Sequence, residues 1–486
     1  MNSLTMGIVA HVDAGKTSLT ERLLHAAGVI DRIGRVDDGN TQTDSMELER
    51  KRGITIRSAV VSFELGGLTV NLIDTPGHSD FIAEVERALS VLDGAVLVIS
   101  AVEGVQPQTR LLMRTLHRLR IPTLLFVNKV DRMGARYDDL LADIARLLTP
   151  DAVPMGTVTE LGTRSACFAP FPPANERLAE VLAERNDKVL ERYLDEGEID
   201  YAGELRRQVA TAAVHPVYFG SAMTGSGVPE LIEGIRLWLP PATGSAKDPL
   251  QARVFKVERG AAGQKVASAR IVAGVLTNRA PLDVHPVDGS TYQTRTTAVE
   301  LFERGARRVV ERAEAGQIVA LRGLKDIQIG DQLGERVAGV GRLFAPPTLE
   351  TAVRARDRVK LFQALSQLAE QDPLIRVRKA DEITVSLYGE VQKEVIASLL
   401  QTEYGVEVSF SETTPIHIER LNGVGTALRE ITAPDNPWAA GVGFRVSPVA
   451  GGIEYELEVE LGALPRAFHT AIEETVRRTL QQGCYG

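Results

Sequence analysis

Four short clusters in this sequence carry side chains suited to a phosphate, a divalent cation and a purine base. The first is Ala10-His11-Val12-Asp13-Ala14-Gly15-Lys16-Thr17. A glycine-containing turn that opens a helix points its backbone N–H groups at phosphate oxygens. Its lysine reaches the terminal phosphates, and its hydroxyl can ligate Mg2+. Ala10 stands where the general pattern has a first glycine, and an ordinary β–α turn with a solvated lysine is the bland alternative. The second, Asp74-Thr75-Pro76-Gly77-His78, follows an apolar run. There Asp74 can hold Mg2+ through a water, and the Gly77 N–H can meet a γ-phosphate. The third, Asn128-Lys129-Val130-Asp131, names the base. A carboxylate only accepts hydrogen bonds, so Asp131 matches the N1–H and N2–H donors of guanine, whereas adenine has an acceptor at N1 and no donor at C2. Asn128 would tie loops together and touch the base's acceptor edge, with the Lys129 stem over its plane. The fourth, Ser221-Ala222, ends a further strand, where a backbone N–H can donate to guanine O6. Thr55, in Arg52-Gly53-Ile54-Thr55, is a candidate second hydroxyl on Mg2+, supplied by a loop that a γ-phosphate orders. His78 reads as the group that positions the attacking water, the task of a glutamine in small GTPases. Singly, each cluster could be a turn or a surface loop. Four in order, each at a strand end, specify a site that binds GTP or GDP with Mg2+.

Positioning those clusters requires a doubly wound α/β sheet. Residues 4–10 read as a buried strand and 15–28 as a helix ending at glycine. Runs 56–65 and 68–74 flank Gly66-Gly67, a hairpin signal that makes them antiparallel. Strands then alternate with helices: 94–100, 106–119, 122–128, 137–148, 216–220 and 226–239. Residues 151–215 interrupt this pattern as an insertion, with a proline-containing loop and polar helices. The expected boundaries are a P-loop GTP-binding domain at 1–240, a β-barrel at 247–345, an α+β (ferredoxin-like) module at 346–421 and a last α+β segment at 422–486. Pro240-Pro241 and Pro346-Pro347 mark two of the junctions. In the last segment, Phe468, Ile472, Val476 and Leu480 recur at steps of four within a helix over 465–482.

Bulk properties bound the classes. At 486 residues the chain exceeds the roughly 250–300 residues of a single core. Hydrophobic content of 44%, 24% charged residues and a mean hydropathy of -0.04 describe an ordinary globular composition. No run reaches the ~18 apolar residues of a spanning helix, and no signal peptide opens the chain. A cytoplasmic protein without membrane contact is expected, and a monomer. Cys167 and Cys484 are the only cysteines, too few for a disulfide framework or a cysteine zinc site. A net charge of -9 argues against broad capture of nucleic acid but leaves room for docking on RNA through one face.

AHVDAGKT, RGITI, DTPGH, NKVD and SAM in this arrangement resemble the GTPase domain of elongation factor G-type translation factors. TERLLHAAGVIDRIGRVDDGNTQTDSMELERKRGITI, DFIAEVERALSVLDGAVLVISAVEGVQPQTR and SLYGEVQKEVIASLLQTEYGVEV are most similar to ribosomal protection proteins conferring tetracycline resistance, of the actinomycete type. Elongation factor G usually has GELHLDI where this chain has GEVQKEV, and a longer inserted subdomain. The resemblance implies a GTP-state factor that binds the ribosome, its RNA and its proteins, and dislodges the drug from the decoding site before hydrolysis releases it. It places phosphate contacts on Asp13, Ala14, Gly15, Lys16, Thr17 and Gly77. Mg2+ falls on Thr17, Thr55 and, behind a water, Asp74; the base falls on Asn128, Lys129, Asp131, Ser221 and Ala222. His78 takes the catalytic position, with Val12 and Ile54 as an apolar gate. It also implies that the fourth domain continues past the helix at 465–482 and that a fifth domain follows, so the fourth is expected to be incomplete here. Two other functions fit the same motifs: an elongation factor G-like translocase, and a GTP-binding module without productive turnover.

Overall fold

Ser3–Ala10 (β1) is buried along its whole length, as a strand covered on both faces must be. After it come Lys16–Ala26 (α1), Ala59–Leu65 (β2), Leu68–Asp74 (β3), Ile82–Leu89 (α2), Gly94–Ser100 (β4), Pro107–Leu119 (α3), Thr123–Asn128 (β5), Asp138–Leu147 (α4) and Ala152–Pro154 (β6). A side excursion holds the hairpin Gly156–Thr159 (β7) and Cys167–Pro170 (β8), then helices Glu176–Glu184 (α5), Asp187–Leu194 (α6) and Tyr201–Ala210 (α7). His215–Phe219 (β9) and Val228–Trp238 (α8) complete the domain. The computed structural model describes residues 2–34, 49, 54–172, 176–195, 198–260, 263–287, 289–303, 305–336, 345–379, 381–417, 419–434, 436, 440–449 and 453–480. Arg52 and Gly53, most of the glycine-punctuated loop before them, and Cys484 lie outside the described residues.

Seven strands form one sheet in the order β2-β3-β1-β4-β5-β9-β6. Only β2 is antiparallel; it meets β3 across Gly66 and Gly67, both at positive φ, as a tight primed hairpin turn requires. The chain leaves β3, crosses β1 and continues at β4, so a crevice opens at the carboxyl ends beside β1, where α/β sheets bind their ligands. Segment 151–215 differs from a loop-and-helix insertion at its start. Ala152-Val153-Pro154 is apolar and buried, and it joins the main sheet as β6, parallel to β9. Its proline is tolerated because β6 is an edge strand.

The second region, Gln251–Gly334, is antiparallel throughout. Eight of its strands follow one path that ends at Tyr292–Thr294 on one side and Ala306–Val310 on the other, and a separate pair joins Val275–Thr277 to Arg312–Glu314. Val254, Ile271, Leu276, Val284, Val299 and Leu321, from six different strands, share one apolar cluster. In the third region, Arg378–Lys379, Ile383–Leu387, Leu349–Arg354 and Ser409–Phe410 lie side by side in that order, all antiparallel. Helices Arg358–Gln371 and Glu390–Tyr404 connect them, which is the ferredoxin-like order. The chain divides into two compact units at Thr413. The second carries a hairpin, Gly425–Arg429 with Val442–Val446, and the helix Arg466–Thr479. Phe468 and Leu480, part of the step-of-four stripe, are exposed there. No helix among the described residues is long and apolar enough to cross a membrane.

Candidate nucleotide site

The turn between β1 and α1 is shaped by two left-handed residues, Asp13 (φ 63) and Gly15 (φ 88). A Cβ at Gly15 would run into the Asn128 amide, so glycine is needed for close approach as well as for its φ. Behind Gly15, α1 starts without a side-chain cap, leaving its first N–H groups for a ligand. His11 is buried, with Nδ1 3.0 Å from Thr109 Oγ1, and burial lowers its pKa.

A cavity of about 370 Å³ opens at this edge of the sheet. Asp13, Gly15, Lys16, Thr17, Thr55, Gly77, His78, Asn128, Lys129, Asp131, Ser221 and Ala222 all border it, although they come from five separate stretches of chain. Val12 and Ile54 line it too. At its phosphate end, the Lys16 ammonium donates to Asp74 Oδ1 at 2.5 Å and to Thr55 Oγ1 at 3.3 Å. Thr17 Oγ1 stands 3.3 Å from Thr55 Oγ1, and Thr20 Oγ1 donates to Asp74 Oδ1 at 3.4 Å. Two hydroxyls at that separation suit adjacent positions of a small octahedral cation, for which roughly 2.9 Å follows from ligand distances of about 2.05 Å. The hard oxygen donors fit Mg2+. Gly77 is fixed from the other side, since Gln108 of α3 donates to its carbonyl at 2.7 Å.

The base end is held together by Asn128. Its Nδ2 donates to the Ala14 carbonyl at 2.8 Å, and its Oδ1 accepts from the Ala222 N–H at 2.9 Å, so one side chain links the phosphate turn, β5 and the loop after β9. Ala14 is fully buried, with its carbonyl held by Asn128. Asp131 is largely buried; among the described residues its Oδ1 accepts no hydrogen bond. A buried carboxylate oxygen without a donor is costly, so this atom has the capacity to accept a ligand's N–H groups. Lys129, at positive φ, pairs its ammonium with Glu103 at 3.0 Å. The N–H groups of Ser221 and Ala222 are both engaged, with Ser226 O and Asn128 Oδ1. Met223, the next residue, also lines the cavity. Arg22 of α1 clamps this loop through the Ala222 and Met223 carbonyls. Nothing in the local sequence around Arg22 or Gln108 signals these roles.

His78 borders the cavity with its ring a quarter exposed. Its Nδ1 accepts from the Asp80 N–H at 3.2 Å.

Phosphate turn, hydroxyl pair, base loop and histidine, on a doubly wound sheet followed by β-rich and ferredoxin-like regions, define a multidomain GTPase of the translation-factor class. Comparison with known families agrees region by region. Residues 1–241 match the Elongation factor Tu GTP binding domain, 249–336 match Elongation factor G domain 2, and 344–412 match Elongation Factor G, domain III. Among curated relatives, the Oxytetracycline resistance protein of Streptomyces rimosus is 52% identical over 513 residues, covering 100% of this chain and 77% of that protein. Tetracycline resistance protein TetM of Streptomyces lividans is 46% identical (100% and 78% covered), and TetP of Clostridium perfringens 40% (99% and 76%). A crystal structure of a Thermus thermophilus protein superposes with a TM-score of 0.72 at 26% identity, over 99% of this chain and 78% of that one. The chain belongs to the tetracycline-resistance ribosomal protection proteins of the elongation factor G superfamily, and it is a GTPase.

Proposed function

We propose that this chain is a ribosome-dependent GTPase that protects the ribosome by displacing tetracycline, and that its site residues divide the work as follows. The N–H groups from Asp13 to Thr17 cradle the phosphates, and Lys16 exchanges its bond to Asp74 for the terminal phosphates. Thr17 and Thr55 hold Mg2+ directly, with Asp74 behind a water; the ion neutralises charge developing on the phosphate oxygens. Gly77 donates its N–H to the γ-phosphate. Asp131 accepts from guanine N1–H and N2–H, Lys129 covers the base plane, and Asn128 ties the loops. Ser221 and Ala222 shape the O6 edge, and because their N–H groups are engaged, the Met223 N–H is our candidate O6 donor.

His78 orients the attacking water, and Val12 and Ile54 gate its approach. The buried Asp131 Oδ1, which has no donor among the described residues and borders the same cavity as Lys16, Thr17 and Thr55, is the observation that carries the nucleotide assignment. Ribosome and drug enter through the relatives, which are named for tetracycline resistance. Release of labelled tetracycline from ribosomes, followed on adding the chain with GTP and then with GDP, tests this reading. Release with GTP alone is expected; none with either nucleotide, at ribosome-saturating protein, contradicts drug displacement.

A further inference from the structure

Asp80 stands two residues beyond the histidine, and it belongs as much to the third region as to the GTPase domain. Its Oδ2 accepts the N–H groups of Val391 (3.0 Å) and Gln392 (3.3 Å), in the first turn of helix Glu390–Tyr404. That helix has 15 residues and no side-chain cap of its own, so the carboxylate satisfies its free donors and meets its positive end. Gly389 closes over the pair: a Cβ there would collide with both carboxylate oxygens. On the other side, Asp80 Oδ1 lies 3.4 Å from His78 Nδ1, and the Asp80 N–H donates to that nitrogen. Burial alone would raise the Asp80 carboxyl. The adjacent His78 ring and the N–H groups of Gln392 and Val391 instead hold it below the ordinary carboxylate range.

A second connection runs in parallel. Arg87 of α2 pairs with Asp372 and donates to the Gln371 carbonyl, both at the end of helix Arg358–Gln371, while Gln392 Nε2 donates to Asp372 Oδ2 at 3.4 Å. Phe81, next to Asp80, is buried in the apolar core of the third region, as is Ile56, one residue past Thr55. The segments bearing Thr55 and His78 are thus seated in the third region, and among the described residues only Asp80 hydrogen-bonds both the histidine ring and that region.

We infer that Asp80 is a positioning residue for hydrolysis: it fixes the His78 ring to the first turn of helix Glu390–Tyr404, so that the third region's placement sets the histidine's aim at the γ-phosphate. This rests on the His78 role given above. Full-length chains carrying Asp80→Ala, Asp80→Asn or Gly389→Ala, each with His78 intact and with His78→Ala, test it through single-turnover hydrolysis of GTP with ribosomes and without them. Gly389 has φ -177, so alanine adds no backbone strain, and its methyl group displaces the carboxylate from outside the GTPase domain.

Asp80→Ala and Gly389→Ala should each slow hydrolysis roughly tenfold, with affinity for a non-hydrolysable GTP analogue within about twofold and Asp80→Asn intermediate. Neither should slow the His78→Ala protein further, because both act through the missing ring. If Asp80→Ala fails to fold, Gly389→Ala carries the test. A His78→Ala protein as fast as the parent overturns the His78 role itself. A slow His78→Ala protein beside unaffected Asp80 and Gly389 variants, or additive losses in the double variants, overturns this inference alone.

Discussion

Replacing Asp131 with asparagine removes the carboxylate proposed to read guanine while keeping the site's shape. In the structure Asp131 is largely buried and its Oδ1 has no donor among the described residues. The two bonds it would accept from N1–H and N2–H are therefore to a largely desolvated carboxylate. Hydrogen bonds to charged groups contribute about 1.5–3 kcal/mol each, so two sum to about 3–6 kcal/mol. At about 1.4 kcal/mol per decade, GTP affinity should fall by roughly two to four decades. Asparagine also brings a donor that repels N2–H but suits the carbonyl that xanthine carries at C2. Isothermal titration of parent and Asp131→Asn proteins with GTP, XTP and ATP measures all three. A variant that binds GTP within threefold of the parent, or a parent that binds ATP as well as GTP, refutes the base assignment.

Asn128→Ala breaks two buried bonds at once, to the Ala14 carbonyl and from the Ala222 N–H, at about 1 kcal/mol each. Its dissociation constant for GDP should rise at least tenfold, read by displacement of a fluorescent guanine nucleotide. Lys16→Ala removes the cation proposed to meet the phosphates and the 2.5 Å partner of buried Asp74, so both nucleotide affinity and thermal midpoint should drop. His215, the first residue of β9, is buried and its pKa is lowered to about 4 by desolvation and by His117, against an ordinary 6.5. Below pH 6.5 the unfolded chain takes up a proton that the folded chain refuses, so stability is lost as pH falls from 6.5 towards 4. By about pH 5 this amounts to about 2 kcal/mol. Urea midpoints at about pH 7 and pH 5 should differ less in His215→Gln than in the parent; equal differences would refute the assignment.

That the turn at Lys16 and Thr17 and the loop at Asn128 and Asp131 border one cavity is legible in the sequence because each motif is local. Lys16 and Thr17 are adjacent, and Asn128 and Asp131 sit one turn apart at a strand end. The hairpin at Gly66-Gly67 was legible for the same reason. What holds the site rigid was not, because its partners are distant in sequence. Arg22 reaches Ala222, 200 residues away, and Asp80 reaches Val391, 311 residues away, with no periodicity to announce either. The engagement of the Ser221 and Ala222 N–H groups depends on how the loop after β9 closes on Ser226 and Asn128, which a tripeptide motif does not encode. Strand β6 is not announced in the sequence, because three apolar residues ending in proline read as loop until β9 offers them an edge.

GTP hydrolysis by the chain, with and without ribosomes, in the parent and in His78→Ala, tests the ribosome-dependent role of His78 most directly. Slow turnover by the parent alone, acceleration by ribosomes, and loss of most of that acceleration in His78→Ala with nucleotide affinity retained are expected. Turnover that ribosomes leave unchanged, or a His78→Ala protein that they stimulate as strongly as the parent, would contradict that role.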